Sequence, residues 1–338
     1  FGPRVVITIA LLVTGTGLVL TGLVPTFNGA RVGRFLAGVG GAGGNVPAVT
    51  LVAAWYGARR RGMASGIAVA GSSVGLMVTG PLVPFLLNRF EPDGWRVCWY
   101  VLGAMAYGVA ILCAFFLRNR SEQMNLRPLG ESDAERRASD AAPRTSALAW
   151  SQVYRSRLLW HLAAVYFGFG FSYIIYSTFL VRYLVGEVGF SQEEAGLVWF
   201  TIGLVSGVSG FLWGCLSDRW GRRAALVGVF AVQGLSFLMI GSSRELPLVL
   251  GSAVLFALTA WSIPALMAAL CGDLFGARLA PAALGLMTIV FGVGQVLGPW
   301  VAGGIADTTK SFSLAFLAAA AVALVLGAGG SLMLRMPR

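Results

Sequence analysis

The chain alternates long apolar runs with short polar connections, and the runs, about 20 residues each, are long enough to cross a hydrocarbon layer of roughly 30 Å as helices. The pattern predicts ten helices, over 4–23, 31–56, 63–88, 96–117, 158–180, 195–216, 224–242, 246–271, 281–304 and 311–334. One segment breaks it. Residues 118–157 carry 13 charged residues with Pro128 and Pro143 and hold no helix-length apolar run, which reads as a linker. The expected organisation is a four-helix bundle over 1–117, the linker 118–157, and a six-helix bundle over 158–338.

Polar positions repeat too. The run GCLSDRWGRR, with Gly214, Asp218, Arg219, Gly221, Arg222 and Arg223, sits between two spans, and Phe1-Gly2-Pro3-Arg4 echoes Trp220-Gly221-Arg222-Arg223 at an offset of 219. Gly57-Ala58-Arg59 matches Gly276-Ala277-Arg278 and Gly66 matches Gly285 at the same offset, while Gly80-Pro81 matches Gly298-Pro299 at 218. A polar motif between spans that recurs once per half points to a two-fold transporter rather than an enzyme. The same alignment maps the start of the second half to about 65 residues before Phe1, so the repeat implies two further spans upstream and a six-plus-six architecture.

Composition agrees. The chain is 57% hydrophobic and 12% charged with mean hydropathy +0.78, about half the charge of a soluble domain. It reads as a polytopic protein of the lipid bilayer. A net charge of +11 would suggest nucleic acid in a soluble chain, but here the charge has an orientation. With connections at 57–62, 118–157, 217–223, 272–280 and 335–338 placed on one side beside Arg4, that side holds 18 of the 25 Lys and Arg residues. That side, with the linker, is expected to be cytoplasmic, the protein multi-pass in the inner (plasma) membrane, and nucleic acid no partner. Cys98, Cys113, Cys215 and Cys271 lie in or beside apolar spans without ligand spacing, so neither a disulfide framework nor a metal site is expected, and no cofactor.

Gly-x-x-x-Asp-Arg-x-Gly-Arg-Arg between spans resembles the signature loop of the major facilitator superfamily. The resemblance extends over essentially the whole chain, through Arg34-x-x-x-Gly38 and through Gly75, Gly80 and Pro81. It implies an all-α membrane protein of the major facilitator fold, with the ten visible spans as family helices three to twelve. Residues 55–75, from Trp55-Tyr56 through Arg59-Arg60-Arg61 to Ala70-Gly71-Ser72-Ser73-x-Gly75, are similar to the fifth-helix signature of monocarboxylate porters. That branch implies proton-linked movement of small organic acid anions. It also uses an acidic and basic pair in its eighth helix, and residues 195–217 here carry no charge. The stretch Gly168–Phe179 instead looks like bacterial facilitators of undefined substrate.

Read by its chemistry, the Asp218 loop is expected to turn at its glycines and to dock a carboxylate on the free N–H groups of a helix starting near Gly62. Arg219, Arg222 and Arg223 hold that carboxylate or only enforce orientation. Arg34 is the arginine inside a span, expected about one turn from its outer end; Gly38, Gly41 and Asn45 share its face. It pairs with an anionic substrate, braces an unseen helix, or snorkels. Gly38-x-Gly40-x-x-Gly43 matches a dinucleotide fingerprint formally, but it lies inside an apolar span with no strand before it, and reads as helix packing. Gly40/Gly44, Gly71/Gly75, Gly203/Gly207, Gly210/Gly214 and Gly294/Gly298 are expected close-approach pairs.

The span 158–180 presents Tyr166, Phe169, Tyr173, Tyr176 and Ser177 near one face, lining a cavity or bonding between helices. Trp261-Ser262-Ile263-Pro264 is expected to break its helix near mid-span, a mark of binding sites, and Gln295 is a further buried polar group. His161 is expected at an interface or hydrogen-bonded rather than in a proton relay.

The leading reading is a monomeric secondary transporter using alternating access, moving a small organic anion with a proton as coupling ion. Efflux of amphipathic compounds is the alternative, and a non-transporting sensor the second. An enzyme is not expected, since one histidine and no mid-span acid supply no catalytic set.

Overall fold

The computed structural model describes the backbone of residues 2–56, 58–130 and 154–334, and their side chains except at 45, 46, 49, 50, 53, 58–63, 65, 66, 69 and 276–278. Asn45, Gly62 and most of the linker 118–157 therefore lie outside the described residues. Eleven helices are numbered here: α1 Pro3–Leu23, α2 Phe27–Trp55, α3 Ala58–Arg89, α4 Gly94–Phe116, α5 Arg157–Tyr183, α6 Gln192–Ser206, α7 Ser209–Trp220, α8 Arg222–Ser242, α9 Leu246–Thr259, α10 Ser262–Thr309 and α11 Ser313–Val322. Wider π-helical turns extend α5 over Leu184–Val188 and α11 over Ala323–Gly329. Among the described residues nine stretches are long and apolar enough to cross a membrane, and α2, at 29 residues, has the length for a tenth. The all-α membrane architecture expected from the pattern is the one observed.

Local sequence explains the ends. Thr26 accepts from the Gly29 N–H at 3.2 Å, so α2 starts at Phe27, four residues before the apolar pattern suggests. Ser191 and Glu194 form a reciprocal capping box that starts α6, with bonds of 2.8 and 3.1 Å. Two expectations are corrected. The helix before the signature loop does not end at residue 216 but runs on to Trp220, and the turn is made by Gly221 alone, at φ 86°. The expected loop 272–280 is helical throughout. Yet the Cys271 and Met287 sulfurs are 3.6 Å apart, while 16 residues of straight helix would separate them by about 24 Å. The chain reverses within α10 while staying helical, so α10 supplies the second half of one span and the whole of the next.

The chain divides into two compact units, Phe1–Gly71 with Leu82–Arg144, and Ser72–Pro81 with Thr145–Arg338. Residues 72–81, mid-α3, thus group with the second unit. In the first unit α1 packs on α2 and α4. Gly40 faces the Ala10 carbonyl and Thr14 so closely that a Cβ would not fit, whereas Gly44, Gly71 and Gly75 meet nothing, contrary to the expected close approach. In the second unit α8 is central, packed by α9 and α11, while α5 lies along α10. Gly294 and Gly298 press α10 onto the α5 backbone, each with a would-be Cβ 2.6 Å from a carbonyl, of Phe167 and Phe171 respectively.

The two-fold repeat is visible in contacts as well as letters. In the first unit Arg4 Nε donates to the Ala114 carbonyl at 2.9 Å, near the end of α4. In the second, Arg223 donates to the Leu332 carbonyl at the end of the last span. Both arginines neutralise the negative end of a helix whose last carbonyls lack partners. Gly15 and Gly234, again 219 apart, are the closely packed positions of α1 against Tyr107 and of α8 against Leu324.

Interhelical polar groups in the second unit are mostly paired, as a medium without water demands. The Tyr183 hydroxyl donates to the Ile240 carbonyl at 3.1 Å, and His161 Nε2 lies 2.8 Å from the Gly330 carbonyl, the hydrogen-bonded role expected for it. Glu187, with its side chain 13% exposed, accepts from Arg244 at 2.9 Å, from the Ser311 hydroxyl at 2.6 Å and from the Phe312 N–H at 2.7 Å. It ties the end of α5 to the α8–α9 connection and the start of α11. By contrast, Gln233 is fully buried with neither amide atom hydrogen-bonded.

Opposite stability effects are expected at these two positions. Glu187→Ala strands three donors and should cost about 2–3 kcal/mol, read as a lower unfolding midpoint of the detergent-solubilised protein. Gln233→Met keeps the shape and removes an unpaired amide, and should gain about 1 kcal/mol in the same measurement; a loss there would show that the amide is satisfied.

Candidate functional site: a polar belt at mid-membrane

Two interrupted helices meet in the second unit. α6 gives way to α7 at Gly207-Val208, and α9 to α10 at Ala260-Trp261, each near the middle of its span. Sequence predicts the second break, from Trp261-Ser262-Ile263-Pro264, but not the first. A break frees backbone groups that lipid cannot satisfy, and here each break supplies partners for the other. The Trp261 N–H donates to Ser209 Oγ at 3.3 Å, Ser262 Oγ to the Ser209 carbonyl at 3.1 Å, and Trp213 Nε1 to the Leu258 carbonyl at 2.9 Å. The Trp261 indole N–H is shared between Ser73 Oγ at 3.0 Å and Ser206 Oγ at 3.2 Å, which are themselves 2.9 Å apart. Ser73, Ser206 and Ser209, all at or below 2% exposure, were missed as candidates. Their signal is the Ser206-Gly207-Val208-Ser209-Gly210 run, a local break inside an otherwise apolar span.

A second polar cluster lies between α5 and the second span of α10. Gln295 Nε2 donates to Tyr173 Oη at 3.2 Å, so two sequence candidates are brought together. Tyr173 stacks on Phe169 at 4.7 Å and Tyr166 on Phe291 at 4.6 Å, with Phe169 and Phe291 5.6 Å apart, all within 20° of parallel. Tyr176 goes elsewhere. It is fully buried among Phe237, Phe256 and Phe316, and its hydroxyl lies 2.9 Å from Ser252 Oγ. Of the two roles open to it, interhelical bonding is the one it plays. Ser177 is half-buried and turns its hydroxyl back to the Ile174 carbonyl at 3.3 Å.

In the first unit Arg34 lies two turns into α2, deeper than expected because the helix starts earlier. Its guanidinium sits 4.8 Å from the Trp99 ring centroid, and it takes part in no ion pair among the described residues. Gly38 and Gly41, on its face, border open space. Arg96, at the start of α4, is committed to structure, donating to the Gly22 carbonyl at 2.6 Å.

At the signature motif Asp218 pairs with Arg222 at 2.8 Å, and Arg222 reaches Asp273 on α10 at 2.9 Å and Ser217 Oγ at 2.8 Å. Asp218 is thus held by its own unit's arginine, and Asp273 completes a chain that sequence did not reveal. Arg219 is exposed, Gly214 is mid-helix, and Arg223 serves the Leu332 carbonyl.

Residues 2–332 match the family model described as "Uncharacterised MFS-type transporter YbfB". The chain belongs to this family of major facilitator transporters. It is 29% identical to the probable sulfoacetate transporter SauU of Cupriavidus necator, over 99% of this chain and 79% of that protein. It is 25% identical to monocarboxylate transporter 12 of Rattus norvegicus, over 90% of this chain and 66% of that protein. Among solved structures it is similar to a bacterial homologue of the human lysosomal transporter Spinster in an inward-facing, unoccupied conformation, at TM-score 0.72 and 16% identity, over 98% of this chain and 83% of that one. As a member of this family the chain is a multi-pass membrane transporter of small molecules, not an enzyme.

Trp261→Phe removes the indole N–H and keeps the ring, leaving Ser73 and Ser206 to each other. We expect it to insert and elute as the parent does while transport falls about ten-fold, the effect of one or two lost hydrogen bonds. Transport equal to the parent would assign the node to folding alone.

Proposed function

We propose that this transporter moves a small organic anion across the bacterial inner membrane by alternating access, with a proton as coupling ion. The observation that carries the reading is Arg34. A guanidinium well inside a span is costly unless something compensates it, and here its partner among the described residues is an aromatic ring rather than a carboxylate. The ring stabilises the cation without neutralising it, so its charge stays available to an anion. The open face at Gly38 and Gly41 gives that anion room, and Asn45 is assigned to the same face. The names of two relatives, a probable sulfoacetate transporter and a monocarboxylate transporter, support an organic acid anion as the cargo.

In this reading residues 1–117 and 158–338 are the two halves of a monomer, joined by a cytoplasmic linker at 118–157. The excess of arginine on the linker's side supports that orientation. The motif residues Gly214, Asp218, Arg219, Gly221, Arg222 and Arg223 serve the cytoplasmic gate, with the Asp218–Arg222–Asp273 chain as its rigid part. Tyr173, Ser177, Trp261 and Gln295 are assigned to the substrate path, and Tyr176 supports them from the core.

Radiolabelled sulfoacetate and lactate uptake into proteoliposomes tests the reading. Uptake should rise with an inward proton gradient and collapse with a protonophore. Arg34→Gln should lower it about 100-fold, the loss expected when one partner of a desolvated charge pair is removed, whereas Arg34→Lys should retain part of it. Undiminished uptake in Arg34→Gln would refute the assignment.

A further inference from the structure

Tyr173 and Gln295 each lie near the middle of a span, on Arg157–Val188 and Leu279–Thr309. Both are half-buried rather than sealed in the core. A phenol and an amide at that depth are costly against lipid tails, so the polar atoms they leave open call for a polar partner, water or cargo.

The direction of their bond determines what they offer. Gln295 Nε2 donates to Tyr173 Oη at 3.2 Å, which fills an acceptor site of the phenol and turns its own O–H away from the amide. Tyr173 has no other hydrogen-bond partner among the described residues, nor has Gln295. The pair therefore presents the Tyr173 O–H and the second Gln295 N–H as unengaged donors. The amide polarises the phenol and strengthens it as a donor.

Both groups are also held in place. Tyr173 is stacked on Phe169, which is 1% exposed and fixed within the four-ring slab. Gln295 stands between Gly294 and Gly298, two positions where α10 rests directly on the α5 backbone. The register of the pair is set by main chain against main chain, not by flexible side chains. Donors fixed in advance are the arrangement that binds oxyanions in other proteins.

We propose that Tyr173 and Gln295 form a neutral two-donor clamp for the oxygens of a carboxylate or sulfonate headgroup. This inference rests on the organic-anion reading above. Because the clamp carries no charge, it orients an anion without trapping it, as a carrier that must release its cargo on each cycle requires.

The test uses the full-length protein in proteoliposomes with three labelled probes: lactate (carboxylate), methanesulfonate (sulfonate) and sulfoacetate (both). For each probe the parent moves, Tyr173→Phe and Gln295→Leu should raise KM about ten-fold, the effect of one hydrogen bond, with the maximal rate within about two-fold. Gln295→Glu should abolish uptake by adding a like charge. Comparing lactate with methanesulfonate shows which headgroup is held. An unchanged KM in both Tyr173→Phe and Gln295→Leu, with Arg34→Gln inactive, overturns the clamp and leaves the organic-anion reading standing. No uptake of any probe by the parent overturns both. Tyr173→Phe keeps the stacked ring, so it decides the matter by itself if Gln295→Leu does not insert.

Discussion

Hydrocarbon offers no hydrogen bonds, and this shapes the second unit more than any single contact. A helix that stays whole satisfies itself. One that breaks must find side chains for each carbonyl and N–H it frees. Here the breaks at 207–208 and 260–261 come at the same depth, and Ser209, Trp261, Ser262 and Trp213 each pair with the other helix across them. Either break alone would be expensive; together they make a stable bend. The corner near Cys271 solves the same problem by staying helical.

The same constraint explains why the repeat is kept in contacts as well as in letters. Arg4 and Arg223 close the two echoed tetrapeptides, and each meets the terminal carbonyls of the last helix in its own unit. A helix end at the membrane surface needs a cation, and a long arginine from the neighbouring helix start reaches it. Glu187 does the converse at the other end of the second unit, accepting the Phe312 N–H at the start of α11.

The fold was legible because apolar run length is itself the physical determinant of a span. Sites were legible only in part. Helical periodicity says which residues share a face, and Tyr166, Phe169 and Tyr173, placed on one face, do lie in one stack. It does not say which neighbour that face meets. Tyr173 meets the amide of Gln295, and Tyr176, three residues on, meets the phenylalanines of the core. Asp218 shows the same limit. Its acidity in a basic loop marked it as functional, yet its nearest cation is four residues along its own chain, and Asp273 joins only through the fold. Gly214 misled because glycine in a polar-looking run suggests a turn, while here it stands mid-helix beside open space.

Charged and neutral polar groups are distributed differently in the two units. In the first, Arg34 sits beside Trp99 with no ion pair among the described residues; in the second, the polar groups described above at mid-membrane are hydroxyls, an indole and an amide, all neutral. A carrier with charge at every contact would hold its cargo too well, since each desolvated ion pair that must be broken adds to the barrier for release. Neutral donors supply direction and selectivity at a fraction of that strength. On the organic-anion reading, fixed neutral dipoles are therefore a physically economical way to orient a cargo that must also leave. The glycines and aromatics where α5 meets α10 hold Tyr173 and Gln295 in register.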